Sequence, residues 1–427
     1  MTDSADRQKQ DTALGAGLIA NDKWLVTNLL AAERWASGTP RDLLEGSAWR
    51  RFAERIGQLG ERIQGAAAPA SPVDRADGHR YLCMLLRNAF DVAIEDLDPD
   101  RPRFNWLTRR NKIGWDCPDA LYAHVAIRDD AVYRIRGKRG SVHFLGLQVM
   151  AGIRSVANAH ADEWEIAPDG SFELTVGGAE RARNWLALGP GADTIWLRQF
   201  FYDWEHETVA SLWIDRVDDG PRAKPGGALD AGFFARRLDA IATNVEANVD
   251  LWLATAVAQR ERFLNVFPRE AFGGTAMGAQ AHQMAGTCYF RIAPDQALIV
   301  AVKPPRAKYW SFDLCNFWLE SLDYANHQSS LNGHQAVLDG DGMFRAVVSL
   351  DDPGVANWLD PVGHLEGSMI YRWNLADSAP YPEIRVVPRA RLDAELPSGA
   401  RRVTAAERER AIEARREHVR RRFARPL

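Results

Sequence analysis

An internal repeat constrains the fold of this chain more than any other feature of its sequence. Five landmarks recur in the same order at offsets of 172 to 176 residues: Pro118-Asp119 and Pro294-Asp295, Tyr133 and Tyr309, Asp169-Gly170 and Asp341-Gly342, Asn184-Trp185-Leu186 and Asn357-Trp358-Leu359, and Arg198 and Arg372. This order and spacing indicate duplication of one structural unit. Each copy consists of short β-branched and aromatic runs between Asp-Gly and Pro-Gly turns, which is typical of antiparallel β-sandwich or jelly-roll-like units.

The regions outside the repeat have helical periodicity. Apolar residues recur at helical spacing over residues 12–37, 74–96 and 228–264, and Thr404 with Glu407 forms a capping box before an arginine-rich tail. We expect this tail to be a solvated helix packed on the acidic body rather than a nucleic-acid tag. The sequence therefore predicts an α+β protein with a helical N-terminal region (1–110), a first β unit (115–220), a connecting helix (228–264), a second β unit (286–390) and a C-terminal basic helix (404–424).

Composition and charge narrow the range of partners. The net charge of −4 argues against nucleic acid, because phosphate binding needs a basic face. The four cysteines are far apart and form no CxxC pair, the first residues lack an apolar signal core, and no apolar run reaches membrane-spanning length. We expect a cytoplasmic protein with a small-molecule substrate and no membrane partner, in which edge strands can pair into a homodimer.

Several stretches resemble a known family. They are CPDALY (117–122), YRIRGKRGSVHFLGLQ (133–148), SLNGHQ (330–335), DPGVANWLDPVGHLEG (352–367) and YRW (371–373). With these motifs, nearly the whole chain is similar to bacterial proteins that carry the domain of unknown function 1214, in their long form with a helical N-terminal region. The resemblance implies jelly-roll-like halves but no agreed reaction. Relatives are common in bacteria that degrade steroids, terpenoids and aromatics, which favours a small hydrophobic substrate and a role in catabolism.

The differences between the two copies indicate where function lies. Landmarks present in both have structural explanations: a hairpin turn, a corner plugged by tryptophan, and an arginine that ties strands together. The second copy alone adds a dense set of polar side chains, namely Asp323, Tyr324, Asn326, His327, Asn332, His334, Asp360 and His364.

Acid–base catalysis is the first hypothesis for this set, since histidine titrates near neutral pH. His364 or His327 would be the base, Asp360 or Asp323 would orient it, and Tyr324 would be the acid. This arrangement suits a lyase, dehydratase or isomerase that needs no cofactor and no metal. The predicted substrate contacts are Asn326, Asn332, His334, Trp310, Trp318, Tyr202 and His206, under a lid formed by the glycine-rich loop 273–287.

Two other functions fit the same residues. A metal-dependent enzyme would use His327, His334, His364 and His206 as ligands, although their spacing matches no compact metal motif. A carbohydrate-binding or carbohydrate-processing protein would stack sugars on Trp310, Trp318, Trp358 and Trp373. The sequence contains no Walker loop, no strand-associated Rossmann glycine pattern and no GxSxG motif, which argues against nucleotide-dependent chemistry and serine hydrolysis.

Overall fold

The protein has an α+β fold with a helical region and two β units. The computed structural model describes residues 32, 36–65, 67–94, 98–109, 111–152, 154–222, 230–273 and 280–424. Most of the predicted helix 12–37 and the centre of the predicted lid 273–287 lie outside these residues. The end of that lid was predicted wrongly, because residues 283–287 begin the strand Gln283–Arg291. The helices are α1 (Pro40–Leu44), α2 (Ser47–Ile63), α3 (Pro72–Ile94), α4 (Ala231–Arg262), α5 (Leu392–Glu395) and α6 (Ala405–Phe423).

Each β unit contains a five-stranded and a four-stranded sheet. The first unit consists of β1 (Asn105–Trp106), β2 (Ala120–Ala126), β3 (Tyr133–Lys138), β4 (Phe144–Ala151), β5 (Arg154–His160), β6 (Ser171–Val176), β7 (Trp185–Leu186), β8 (Thr194–Phe200) and β9 (Ser211–Arg216). The second consists of β10 (Phe272–Gly273), β11 (Gln283–Arg291), β12 (Gln296–Val302), β13 (Ala307–Cys315), β14 (Ser330–Asn332), β15 (Phe344–Val348), β16 (Trp358–Leu359), β17 (Glu366–Ala376) and β18 (Glu383–Pro388).

The strand order confirms the duplication. The five-stranded sheets have the orders β1-β2-β8-β4-β5 and β10-β11-β17-β13-β14, and the four-stranded sheets have the orders β7-β6-β3-β9 and β16-β15-β12-β18. Every strand of the second unit therefore occupies the place of the strand nine positions earlier. Within each unit, one hydrophobic core joins the two sheets, with Ile135 and Leu147 in the first and Val300 and Phe312 in the second.

The shared Asn-Trp-Leu corner makes the same bonds in both copies. The Asn184 amide donates to the carbonyls of Glu165 and Glu173, and the Asn357 amide donates to those of Val337 and Arg345. The following tryptophan donates its indole N–H to the backbone just past the neighbouring strand, at Gly177 and Ser349. The corner is thus a structural element that bonds the backbone carbonyls of the neighbouring turn and strand in both copies.

Arg198 and Arg372 are also equivalent. Arg198 pairs in register with Gly146 of β4, and Arg372 pairs with Ser311 of β13. Two residues further along these partner strands, Gln148 and Asp313 accept hydrogen bonds from the two arginines. The predicted tie between strands is therefore present in both copies, with a carboxylate as acceptor in the second copy only.

Two of the five landmark pairs were matched wrongly, because their members lie on strands that are not equivalent in the two units. Tyr133 lies in β3, whereas Tyr309 lies in β13, the counterpart of β4. The residue of the first unit that is equivalent to Tyr309 is Phe144. Phe144 pairs with Phe200 in the first unit, and Tyr309 pairs with Asn374 in the second. The Pro-Asp pairs likewise precede non-equivalent strands, β2 and β12. A proline and an aspartate favour the turn before any strand, so this pair contains no information about which strand follows.

The helical region packs against the second unit. Asp230 caps the N-terminus of α4, and α4 contacts α1, α2 and α3. Tyr81 of α3 stacks on Trp318, with ring centroids 5.2 Å apart, and both side chains belong to the core that includes Ile241 of α4. Among the described helices, none combines the length and apolar character that crossing a membrane requires.

The C-terminal helix begins at the predicted capping box, but it is less solvated than its composition suggests. Thr404 and Glu407 exchange the two capping bonds. Arg408, Arg415 and Arg422 point into the protein and are buried. Their guanidinium groups donate to carbonyl oxygens of both β units, so α6 fastens the two units together.

Candidate functional site

His364 is enclosed by two carboxylates of the helical region. Its Nδ1 lies 2.7 Å from Asp74 and its Nε2 lies 3.2 Å from Asp77, and the imidazole is almost completely buried. Burial alone would lower the pKa of His364, but the hydrogen bonds and charges of the two aspartates outweigh it and raise the pKa to about 9. A protonated and doubly paired imidazole is a poor general base, so this geometry favours a structural role.

His327 and Asp360 form the acid–base pair that the structure does assemble. His327 Nδ1 lies 2.8 Å from Asp360 Oδ2, and 39% of the His327 side chain is exposed. The other oxygen of Asp360 accepts the Val362 N–H. The carboxylate is therefore held in place and can orient the imidazole, and no described residue is hydrogen-bonded to the opposite nitrogen, Nε2. Of the two predicted bases, His327 rather than His364 is the partner of Asp360.

The predicted acid Tyr324 lies in the core of the first unit. Its ring is buried beneath Lys112 and Arg422, and burial raises its pKa far above the usual value. Asp323 accepts a hydrogen bond from Asn326 at 2.7 Å. Burial would raise the pKa of Asp323, but this hydrogen bond and the nearby cations lower it on balance. Asp323 thus orders the loop that contains Asn326.

Apart from Asn326, which bonds Asp323, the predicted substrate contacts separate into two groups. Asn332, Trp310 and Trp318 are buried, and the Asn332 amide donates to Asp119 at 2.9 Å. Tyr202, His206 and His334 surround Asp203 nearer the surface. His206 Nδ1 lies 2.8 Å from that carboxylate, His334 Nε2 lies 3.7 Å from it, and the Tyr202 ring is 6.1 Å from His334.

A buried polar network joins the two units. Asp119 accepts hydrogen bonds from Tyr309 at 2.6 Å and from Trp204 at 2.8 Å. Arg372 contacts Asp313, and burial raises the pKa of Asp313 to about 7 despite that cation. The bonds from Tyr309 and Asn332 to Asp119 cross the unit boundary, which favours a role in fixing the two five-stranded sheets relative to each other.

An open cleft of about 560 Å³ lies where α6 meets α3 and the loop before β14. Its apolar surface is formed by Ala325, Val419, Phe423 and Ala424, with Thr108 and Asn326 as polar neighbours. Four arginines line the same cleft: Arg87, Arg109, Arg416 and Arg420. No described acidic residue lines it, so the cleft combines an apolar floor with a cationic rim.

The cleft arginines are available to a ligand. Arg87, Arg416 and Arg420 have neighbouring acids on their own helices, and these ion pairs are largely exposed. Exposed pairs of this kind contribute only about 0–1 kcal/mol each, so a ligand anion can replace the acid at little cost. Arg109 has no ion-pair partner among the described residues. Arg416 also donates to Asn326 at 3.1 Å, which links the rim to the loop of His327.

Helical spacing could have identified half of this cleft from the sequence. Arg416, Val419, Arg420 and Phe423 follow the i, i+3, i+4, i+7 pattern and lie on one face of α6. Arg87 and Arg109 give no such signal, because they come from α3 and from the segment after β1 and meet α6 only in the folded protein.

The histidines predicted as metal ligands do not converge. His364 contacts Asp74 of α3, and His327 pairs with Asp360. His206 and His334 lie on either side of Asp203. In the described part of the chain, the residues whose potential ligand atoms do cluster are His160, Glu163 and His282. Sequence reasoning missed this group because its members belong to different units and match no linear motif.

Comparison with known proteins places the chain in a family. No protein-family model matches the sequence, and no curated protein matches it significantly. A crystal structure of an uncharacterized protein from Burkholderia cenocepacia is 32% identical, with a TM-score of 0.77, over 83% of this chain and 100% of that one. A protein from Vibrio parahaemolyticus is 12% identical, with a TM-score of 0.43, over 79% of this chain and 99% of that one, too little for an inference. The chain belongs to the same protein family as the Burkholderia cenocepacia protein.

Proposed function

We propose that this protein is an enzyme that acts on a small hydrophobic molecule bearing an anionic group, by general acid–base catalysis. The observation that carries the proposal is the cleft beside α6, which presents arginines around an apolar floor. Its volume of about 560 Å³ falls within the range of roughly 300–1,000 Å³ that is usual for small-molecule sites. Steroid, terpenoid and aromatic acids have the matching combination of apolar body and charged end.

The acid–base part of the proposal rests on the His327–Asp360 pair. His327 follows the cleft residue Asn326 in the chain, and Asp360 orients its imidazole. A base of this kind removes a proton next to a carbonyl or carboxylate. An isomerase returns the proton to another carbon, whereas in a lyase or dehydratase the electrons of the broken C–H bond form a double bond and a leaving group departs, as water in a dehydration. Arginines that neutralise the substrate anion would position the C–H bond and lower the cost of the developing negative charge.

The carbohydrate alternative has less support. Trp310, Trp318, Trp358 and Trp373 are all buried, and Trp310 packs edge-on against Trp373 within the core. Sugar stacking needs an exposed aromatic face. These tryptophans therefore offer no platform in this conformation.

The proposed cleft is tested with a pair of matched probes. Anilinonaphthalene sulfonate is an apolar anion, and phenylnaphthylamine has the same rings without the charge. We expect the folded protein to bind the sulfonate more tightly than the neutral probe. Arg109→Gln should lower the affinity for the sulfonate about tenfold, equivalent to about 1.4 kcal/mol, and should have little effect on the affinity for the neutral probe. The control is Arg136→Gln, an exposed arginine of β3 paired with Asp215. Equal binding of both probes, or an unchanged sulfonate affinity in Arg109→Gln, would refute the proposal.

Three finer assignments accompany this proposal. The motifs at 330–335 and 352–367 support membership of the domain-of-unknown-function 1214 family. The single core shared by both sheets of each unit supports β-sandwich or jelly-roll-like halves. The four free cysteines support a reducing cytoplasmic location.

A further inference from the structure

Two histidines and a glutamate from separate segments meet at the edge of the first β unit. His160 is the last residue of β5, and Glu163 ends the short 3₁₀ turn Ala161–Glu163 that follows it. His282 precedes β11 of the second unit, and its carbonyl accepts the Leu375 N–H, which anchors its backbone. The two imidazole centroids are 5.4 Å apart, with the rings edge to face.

The spacing of these side chains suits a common metal ion. One potential ligand atom from each residue lies within 4.8 Å of the other two. His160 Nε2 lies 3.2 Å from Glu163 Oε1. Two ligand atoms on a tetrahedral zinc ion, with bonds of about 2.0–2.1 Å, are roughly 3.3 Å apart. The His160–Glu163 edge therefore already has the dimension of a coordination site.

Two buried polar atoms in this region lack a hydrogen-bond partner among the described residues. His160 is 7% exposed, and its Nδ1 has no hydrogen-bond partner among the described residues. Gln280 is also buried, and its Oε1 is likewise unpaired there. The Gln280 amide packs on Gly146, which pairs with His160 in register, so no larger residue at 146 would fit. Buried polar atoms without a partner are uncommon and call for an explanation.

An acidic neighbour completes the arrangement. Asp162 Oδ2 lies 3.7 Å from His160 Nδ1, and Lys308 of β13 contacts the same carboxylate. In metal sites, the ring nitrogen that does not bind the ion usually donates to a carboxylate or carbonyl, which fixes the tautomer. Asp162 would take this role towards His160 when the 3.7 Å separation closes to hydrogen-bonding distance on metal binding.

We propose that His160, Glu163 and His282 form a binding site for one divalent transition-metal ion at the boundary of the two β units. Two imidazoles and one carboxylate favour zinc or iron over calcium and magnesium, which take oxygen ligands. Three protein ligands leave at least one position open, as in metal sites that bind water or substrate. Because His282 comes from the segment before the second unit, the ion would also fasten the two units together.

The test is metal uptake by the full chain after treatment with a chelator. We expect calorimetric titration with Zn²⁺ to give one saturable equivalent, and Co²⁺ to give the visible absorption of a low-coordinate site with nitrogen ligands. His282→Ala and Glu163→Gln change exposed side chains, so both proteins should fold. Each variant should lower the Zn²⁺ affinity about tenfold or more. Asp162→Asn should lower it about tenfold, because Asp162 would fix the tautomer of His160 that binds the ion.

His206→Ala is the matched control, because His206 is an exposed histidine paired with an aspartate elsewhere in the first unit. It should bind Zn²⁺ as the wild type does, and near-ultraviolet circular dichroism should be unchanged in every variant. Absence of saturable uptake by the wild type would overturn the site. So would wild-type affinity in a folded His282→Ala protein, or loss of binding in His206→Ala alone.

Discussion

The imidazole of His364 lies 2.7 Å from the carboxylate of Asp74, although 290 positions separate the two residues in the chain. Asp77, one turn further along α3, holds the other ring nitrogen at 3.2 Å. The turn after the Asn-Trp-Leu corner of the second unit is therefore bound to the helical region through one cationic side chain.

This contact predicts a pH dependence of folding. The pKa of His364 is about 9 in the folded protein and about 6.5 in an unfolded chain, so folding takes up a proton between these values. The stabilisation is complete below pH 6.5 and is lost as the pH rises through 9. It amounts to about 3 kcal/mol. Urea unfolding of the wild type at pH 6.5 and pH 10 should therefore differ in free energy, and in His364→Ala this contribution should disappear.

Gly340→Ala is the control for that measurement, since it changes no ionisable group and nothing lies within 4 Å of the added Cβ. It should keep the wild-type dependence on pH. If the unfolding free energy of His364→Ala changed with pH as much as that of the wild type, the contacts of His364 with Asp74 and Asp77 would not exist in solution.

The C-terminal helix allows a comparison of two arginines. Arg422 is 1% exposed, and Nη2 donates to the Pro118 carbonyl at 2.7 Å. Arg422→Ala leaves buried acceptors without a donor and removes packing on Phe201 and Trp204, so we expect a loss of about 3 kcal/mol in unfolding free energy. Arg410→Ala on the exposed face of the same helix should change it by less than about 0.5 kcal/mol. Equal losses in chemical denaturation would contradict the inward packing of α6.

Gly333 is enclosed tightly enough to exclude a methyl group. A Cβ at this position would overlap Tyr202 Oη and Trp310 Nε1. We expect Gly333→Ala to destabilise the protein by about 1–3 kcal/mol, the usual cost of overpacking, as measured by thermal unfolding. Gly340→Ala is the control, because nothing lies within 4 Å of its added Cβ. A neutral Gly333→Ala would show that the aromatic rings move aside freely.

The proposed base predicts a kinetic effect. For any apolar anion that binds the cleft and is turned over, His327→Ala and Asp360→Asn should lower kcat by about 10²–10⁴-fold, with KM changing much less. Asp360→Asn keeps the hydrogen bond but removes the charge that stabilises an imidazolium. His79→Ala, which removes an exposed histidine bonded to Gln64, should leave kcat unchanged. Steady-state kinetics in which all three variants equal the wild type would exclude acid–base catalysis by this pair.

The repeat was predictable because its markers are local. Asp-Gly and Asn-Trp-Leu specify a turn and a corner by bonds within a few residues or to the adjacent strand, so they recur wherever the unit recurs. The register between copies was predictable only in part. Tyr133 and Tyr309 belong to non-equivalent strands, and a single shared aromatic residue cannot distinguish neighbouring strands of similar composition.

The candidate site was less predictable from the sequence. The clustering of polar residues in the second copy did identify His327 and Asp360, which pair at 2.8 Å. The same clustering selected Tyr324, whose ring is buried in the core of the first unit. Histidines and tyrosines that satisfy structural contacts have the same local patterns as catalytic ones, so composition alone does not separate them.

The sequence by itself determined the duplicated β units, the long connecting helix and the capped C-terminal helix, because turn chemistry, apolar periodicity and capping act between near neighbours in the chain. Only the tertiary structure decided which groups meet: His364 with Asp74, the cleft arginines of α3 and α6, and His160 with His282. These contacts join distant segments. They depend on how sheets and helices pack, and the residues involved leave no periodic trace in the sequence.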